Sequence, residues 1–387
     1  MTNRQTFQIN QHDVVVSLDN PVPVGRRAWT LIRARLVDET TGLAPPVGVT
    51  IEADEPNLTP RVALGGLVGF AGYPEEAFPQ LNTSNYIVHM TLRAPGFLED
   101  TRQVTVPLNP LFPATFVPVD LGLIPLRREP VTVRGRVTRP APLGPVPVGG
   151  ATVIVTGIWR MPPPAAAPPP PAAANLVFLQ PGAVLPRSAA TGNVHRRDLT
   201  AAGSDKMLME EAVEGASTVR ISDRVGTLAG DILALDPEDA GRSDFVTVAG
   251  IDGGALNEAA TITLSVPLAR RHRRDSLVQL MNAALVGPNN LLTDDIAPGD
   301  TTVLLASTTG LTGATHVEIA DGVAADELQS VQLYEAVTAA DGFYQLPPIN
   351  RMAQIQITAN DGVNPAVDTV LRLDYANTEN RHDITIL

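Results

Sequence analysis

Any chemistry on this chain has to come without a thiol, chiefly from histidine, carboxylate, hydroxyl or arginine groups, because cysteine is absent. That removes a disulfide framework, a thiol nucleophile and any Cys-rich zinc or iron–sulfur site. The six histidines, His12, His89, His195, His272, His316 and His382, stand at no i, i+4 or other close ligand spacing, so they form no metal motif. His89 lies in a strand-like run, where an ordinary packed or surface role is expected. His316 shares a strand face with Glu318, a pairing expected of a solvated face. Asp294 with Asp295, Glu210 with Glu211, and Asp236 with Glu238 and Asp239 all fall in polar, turn-like sequence. They read as solvent faces or caps, not as the positioned carboxylate pair a glycosidase needs. The stretch 236–244 lacks EF-hand spacing and the glycine-repeat calcium pattern. No serine sits in a glycine-flanked elbow, and no glycine-rich run leads into Lys-Ser or Lys-Thr. The expectation is no catalytic residue, no metal and no cofactor, hence no enzyme.

Two groups point instead to partner contact. Arg270, Arg271, Arg273 and Arg274 flank His272, with Asp275 following. The chain carries 28 Lys+Arg against 41 Asp+Glu, a formal charge of -13, so such a cluster offers bidentate pairing to an acidic neighbouring subunit. The net charge and the lack of interleaved aromatics argue against nucleic acid or anionic lipid as the partner. Phe70, Tyr73 and Phe78, spread through a loop bearing glycine and proline, are the candidate exposed aromatic contacts. Trp29 and Trp159 occupy strand positions and are expected to anchor cores.

The elements that must position these groups are strands. Hydrophobic residues make up 44% of the 387, aromatics 4% and charged residues 18%, with 35 prolines and 31 glycines, which describes a folded chain of many turns. Residues 29–37 and 86–92 alternate apolar with polar side chains, as half-buried strands do. Almost nothing has a helical period. The expected fold is all-β, a multi-domain set of β-sandwiches with tandem inserted β-modules. An N-terminal sandwich covers 1–125, and strand alternation at 131–160 and 339–387 belongs either to a linear string of four or five modules or, as the resemblance given below implies, to the two halves of one split sandwich. Between these two stretches come a Pro/Ala-rich spacer and linker at 161–204, a first repeated module at 205–285 and a shorter second one at 288–338. The repeat shows in Gly215-Ala216-Ser217-Thr218-Val219 against Gly299-Asp300-Thr301-Thr302-Val303, an offset of about 84 residues. Seven prolines in PPPAAAPPPPAAA, 162–174, fix φ and lack amide donors, so that tract is expected to be a stiff exposed spacer.

Residues 33–106 resemble the carboxypeptidase-regulatory-like, or transthyretin-like, β-sandwich module. The likeness rests on Asp38-Glu39-Thr40-Thr41-Gly42 as a turn, the strand Pro46 to Ile51, Tyr86 in a late strand, Ala94-Pro95-Gly96-Phe97 and Val104-Thr105-Val106. A second copy is split: Gly135-Arg136-Val137 and Pro147 to Val153 resemble its first half, and Asp341 to Ile349 its second. The resemblance implies a noncatalytic module of folding support, adhesion and assembly. The repeats and the arginine hairpin are also similar to parts of phage-tail and contractile-injection structural proteins. The function expected is a structural or adaptor subunit of a large assembly, partnered by other protein subunits or by its own copies. The alternative is an adhesin or glycan-binding chain that contacts a cell-surface glycan. The start MTNRQTFQIN has no signal-peptide pattern, and no run of about 18 apolar residues follows, so the expectation is cytoplasmic synthesis, no membrane insertion and use in a released particle or virion.

Overall fold

The computed structural model describes residues 4–9, 12–17, 28–46, 48–162, 170, 172–179, 190–239, 242–320, 327–332 and 335–387. Nearly all its regular structure is strand, and no helix among these residues is long and apolar enough to cross a membrane. The chain divides into two compact units. One comprises Met1–Val37, Leu43–Pro95 and Glu99–Leu126; the other comprises Asp38–Gly42, Gly96–Leu98 and Arg127–Leu387.

The first unit holds a four-stranded sheet, ordered Thr59–Val62, Leu67–Gly72, Trp29–Asp38, Val119–Leu126, and a three-stranded one, ordered Thr50–Ala53, Tyr86–Arg93, Asp100–Val106. Period-two alternation explains the burial: Ala34 and Leu36 are buried where Arg33 and Arg35 are exposed, and Val88, Met90 and Leu92 share one inward face. A separate hairpin pairs Arg4–Ile9 with His12–Ser17.

In the second unit, strand Thr132–Arg139 pairs antiparallel with Phe343–Gln345 and parallel with Glu379–Arg381 and Ile384–Thr385. Strand Thr152–Trp159 pairs with Gln354–Asn360, which carries Val367–Arg372 on its other side. Val133, Val153, Tyr344, Ile355, Ile357 and Ile384 lie in one core, so segments about two hundred positions apart build a single sandwich. The contact between Thr132–Arg139 and the C-terminal strands is close enough to require glycine: a Cβ on Gly135 would collide with the His382 carbonyl.

Between the halves of that sandwich, ten strands among the described residues belong to a single sheet: β1 (Leu176–Leu179), β2 (Asn193–Met207), β3 (Thr218–Ile221), β4 (Ile232–Leu235), β5 (Asp244–Asp252), β6 (Ala260–Leu264), β7 (Leu277–Leu291), β8 (Thr302–Leu304), β9 (His316–Ala320) and β10 (Glu327–Gln332). They form one sheet in the order β3-β6-β5-β4-β7-β2-β9-β10-β1-β8, and Phe245 of β5 also faces Leu328 of β10.

This arrangement corrects two expectations. The stretch 161–204 is not all spacer. Prolines at 163–169 and 171 lie outside the described residues, but Ala172–Ala173 pairs with Gly157 and Ile158, and β1 is a fully buried strand. The run Leu-Val-Phe-Leu is apolar throughout because both faces are covered: Leu176 and Phe178 enter the split-sandwich core, Val177 and Leu179 the core of the second repeat. The repeated module at 288–338 looks short because its core is completed from the N-terminal side, by Val177, Leu179 and Val194.

Candidate functional site

The run Arg270–Arg274 lies between β6 and β7, and its alternating side chains take opposite directions. Arg270 and His272 point inward. The Arg270 amide donates to Asp244 Oδ2 at 3.0 Å, and its guanidinium donates to Asp244 Oδ1 at 2.7 Å and to the Ser243 carbonyl at 2.5 Å. His272 is fully buried, with Nδ1 2.8 Å from Asp236 Oδ2 and Nε2 3.0 Å from Asp244 Oδ2. Ser276 donates to the same Asp236 oxygen at 3.0 Å. Burial opposes the charged ring, but the bonds to Asp244 and Asp236 and their charges outweigh it and hold the His272 pKa above its ordinary value. His272 and Ala212 exchange backbone hydrogen bonds of 2.8 and 3.0 Å, and the Asp275 amide donates to the Leu208 carbonyl, so main chain as well as side chains fix the segment.

Arg271, Arg273 and Arg274 point outward. Arg271 is 66% exposed with Glu211 at 2.7 Å, and Arg274 is 69% exposed with Asp275 at 3.7 Å. Of the four arginines singled out by sequence, three are presented to solvent; Arg270 is an internal anchor, because strand alternation turns it toward Asp244. Asp236, read from sequence as a solvent-facing charge, is a wall of the His272 cage.

The aromatic trio is not an exposed platform. Phe70 and Phe78 are 1% and 0% exposed. Phe70 falls on the inward face of Leu67–Gly72, and Phe78, at the end of the helical turn Pro74–Ala77, packs against Tyr86 and Phe116 at ring-centroid distances of 5.3 and 6.2 Å. Tyr73 is half-buried, and its carbonyl caps that turn. The tryptophans are also corrected: Trp29 is 50% exposed at the start of its strand, and Trp159 is half-buried.

Three further groups escaped sequence reasoning. Asp38 is buried and takes the Arg128 guanidinium at 2.7 Å and the Thr40 hydroxyl at 2.8 Å, while Arg128 lies 4.2 Å over the Phe97 ring. Although burial raises the Asp38 pKa, these partners outweigh it and set it below the ordinary value. Nearby in the second unit, Arg127 pairs with Asp300 and Asp295, Arg160 with Glu39 and Asp294, and buried Arg351, at φ 69°, lies among the same carboxylates. Lys206, the only lysine of the chain, is buried with its Nζ 2.7 Å from Asp223 and 2.8 Å from the Val225 carbonyl. Glu318, expected on a solvated face, is buried and paired with Arg197, while His316 packs edge-on against Phe245 at 4.7 Å and is pushed down in pKa by burial. No local pattern announces these pairs, whose members are up to 312 positions apart.

Among the described residues no three His, Asp or Glu side chains are grouped to hold a metal ion. The carboxylates and histidine around Arg270 are bound to one another inside the protein, so the arrangement holds a turn rigid. Its outward side chains, Arg271, Arg273 and Arg274, are exposed.

No protein-family model matches the chain, and no curated protein matches it. Among solved structures it is similar to the major pilin subunit BcpA of Bacillus cereus (TM-score 0.18, 8% identity, 93% of this chain and 99% of that one). It is also similar to the major pilin SpaA of Corynebacterium diphtheriae (TM-score 0.16, 12% identity, 92% and 100%).

Proposed function

We propose that the chain is a noncatalytic structural or adaptor subunit of a large protein assembly, of the phage-tail-like or contractile-injection-like kind, and that Arg271, Arg273 and Arg274 contact an acidic neighbouring subunit. In this reading it is made in the cytoplasm and works in a released particle or virion. The observation that carries the proposal is the division of the arginine run: two side chains are spent inside on Asp236 and Asp244 so that three cations stand outside on an immobilised backbone. Ordering such cations beforehand lowers the entropic cost of docking, and guanidinium groups match carboxylates two hydrogen bonds at a time. A modular β architecture with a sandwich split around a large insert suits a connecting part.

The adhesin alternative calls for a shallow aromatic or polar groove on one of the repeats, tested at Phe70 or Tyr73, and the burial of Phe70 and Phe78 takes those two rings from such a surface. The test is native capture of the tagged chain from its source with protein identification. Co-purification of sheath, tube or baseplate-like subunits, lost on Arg271→Ser/Arg273→Ser/Arg274→Ser, is the expected result. Recovery of a lone chain would overturn it.

A further inference from the structure

The ten inserted strands fall into two series of five. Strands β1 to β4 begin 84 positions before β6 to β9, and β5 begins 83 before β10. The two 15-residue strands β2 and β7 are equivalents that pair with each other, and Leu199 of β2 stands opposite Ala283 of β7, itself 84 positions further on. A local two-fold axis therefore passes between them. The strand order obeys it on both sides, and next to the axis so does the register: Ile232 faces Met281 in β4–β7, and the equivalent His316 faces the equivalent Arg197 in β9–β2.

The consequence is an exchange of strands between repeats. One core contains Leu208, Val219, Leu233, Val246, Ile262 and Val278, so it takes β3 to β5 from the first repeat and β6 and β7 from the second. The other contains Val177, Val194, Val303, Leu305, Val317 and Ile319, from β1 and β2 of the first repeat and β8 and β9 of the second with the residues beside them. All residues of the first core lie within 200–282, and none of the second does. Between the two cores, β2 and β7 run as a ribbon whose middle is largely exposed, with Thr200, Ala201 and Ser204 on one strand and Asn282 and Leu285 on the other.

The halves are not equal in chemistry. Counted by the same offset along the sequence, Asp236, Arg270 and His272 correspond to Ala320, Pro186 and Ser188. Among the described residues, the cage that fixes an arginine turn lies in the 200–282 segment.

We propose that residues 200–282 form a self-contained head, spliced into the rest of the chain at the Leu199/Ala283 pair, and that engagement of an acidic protein partner resides in that head. The second half of this statement rests on the arginine-turn reading above. The geometry makes the head removable: opposite residues of an antiparallel pair are about 5 Å apart, a gap that a two-residue Asn-Gly turn closes.

Two measurements test it separately. Native-state hydrogen exchange on the intact chain under rising urea reads autonomy: the amides of β3, β4 and β6 are expected to open as one cooperative class and those of β1, β8 and β9 as another. A single common class overturns the head. Binding to immobilised poly-glutamate reads engagement. The full chain carrying Arg271→Ser/Arg273→Ser/Arg274→Ser, and a chain with 200–282 replaced by Asn-Gly, are both expected to bind about tenfold or more weakly than the parent. Unchanged binding by the triple variant overturns the assignment of engagement to the head, whatever the exchange data show.

Discussion

His272 and Asp244 are joined inside the protein, Nε2 to Oδ2 at 3.0 Å, and the same carboxylate binds both the amide and the guanidinium of Arg270. One aspartate thus ties together the two inward members of a run whose outward members are exposed to solvent. The pairing makes the turn's rigidity depend on the charge of a histidine.

The first expectation concerns pH. The folded-state pKa of His272 lies above its unfolded value of about 6.5. Its contribution to stability is therefore fully present below that unfolded value and is lost as pH rises through the folded one. Removing the ring leaves buried Asp244 and half-buried Asp236 with one cation fewer, and His272→Ala is expected to cost about 3–5 kcal/mol where the ring is charged. Urea unfolding of parent and variant across pH checks this: the gap between them should narrow on the alkaline side.

Arg128 is the cation paired with the buried Asp38 carboxylate and also covers the Phe97 ring. Arg128→Ala is expected to destabilise by about 3–5 kcal/mol, most of it from the abandoned carboxylate. Arg128→Lys should recover only part, because an ammonium cannot place two N–H groups on Asp38 while stacking on Phe97. Because the Asp38 pKa is lowered, the stability it brings is present above its unfolded value and is lost as pH falls through the folded one. Acid-unfolding midpoints of the three proteins read this out.

Gly135 faces a backbone carbonyl, which cannot swing aside as a side chain would. Gly135→Ala should force Thr132–Arg139 away from Glu379–Arg381 and cost about 1–3 kcal/mol. Raised hydrogen exchange at the Thr132 and His382 amides, which donate across this contact, would locate the damage.

Phe78→Ala is expected to lose about 3–5 kcal/mol of stability, as emptying a packed aromatic site does. Glycan-array binding should not change between parent and variant in the folded range. A loss of glycan binding with unchanged stability would return Phe78 to a surface role.

How much of this was legible in the sequence depends on distance along the chain. The alternation of Trp29–Asp38 and Tyr86–Arg93 is local, and the strands form where period two places them. The Gly-Asp-Thr-Thr-Val echo of Gly-Ala-Ser-Thr-Val is also local, so a repeat was visible. Its full extent was hidden because Leu176–Leu179 and Ala260–Leu264 share a position in the repeat but almost no residues; one strand is buried on both faces and the other is not. The outward arginines were visible as a basic run. Their anchor was not, since Asp236, just after β4, and Asp244, the first residue of β5, lie 36 and 28 positions upstream of His272 and look like ordinary polar loop sequence. The burial of Phe70 and Phe78 was lost for a related reason: a Gly/Pro-bearing stretch reads as exposed loop until its strand and single helical turn are seen to face a core.

The central claim is that the chain is a noncatalytic part of a larger assembly whose contact includes Arg271, Arg273 and Arg274. The most direct measurement is capture of the native complex under mild conditions, with mass spectrometry and negative-stain imaging of parent and triple arginine-to-serine chains side by side. Surface changes of this kind should leave stability within about 0.5 kcal/mol, so a difference in capture reports contact and not folding. The account predicts a large particle containing defined partner subunits for the parent and its loss for the variant. A lone chain in both preparations, or an undiminished particle with the variant, would contradict it.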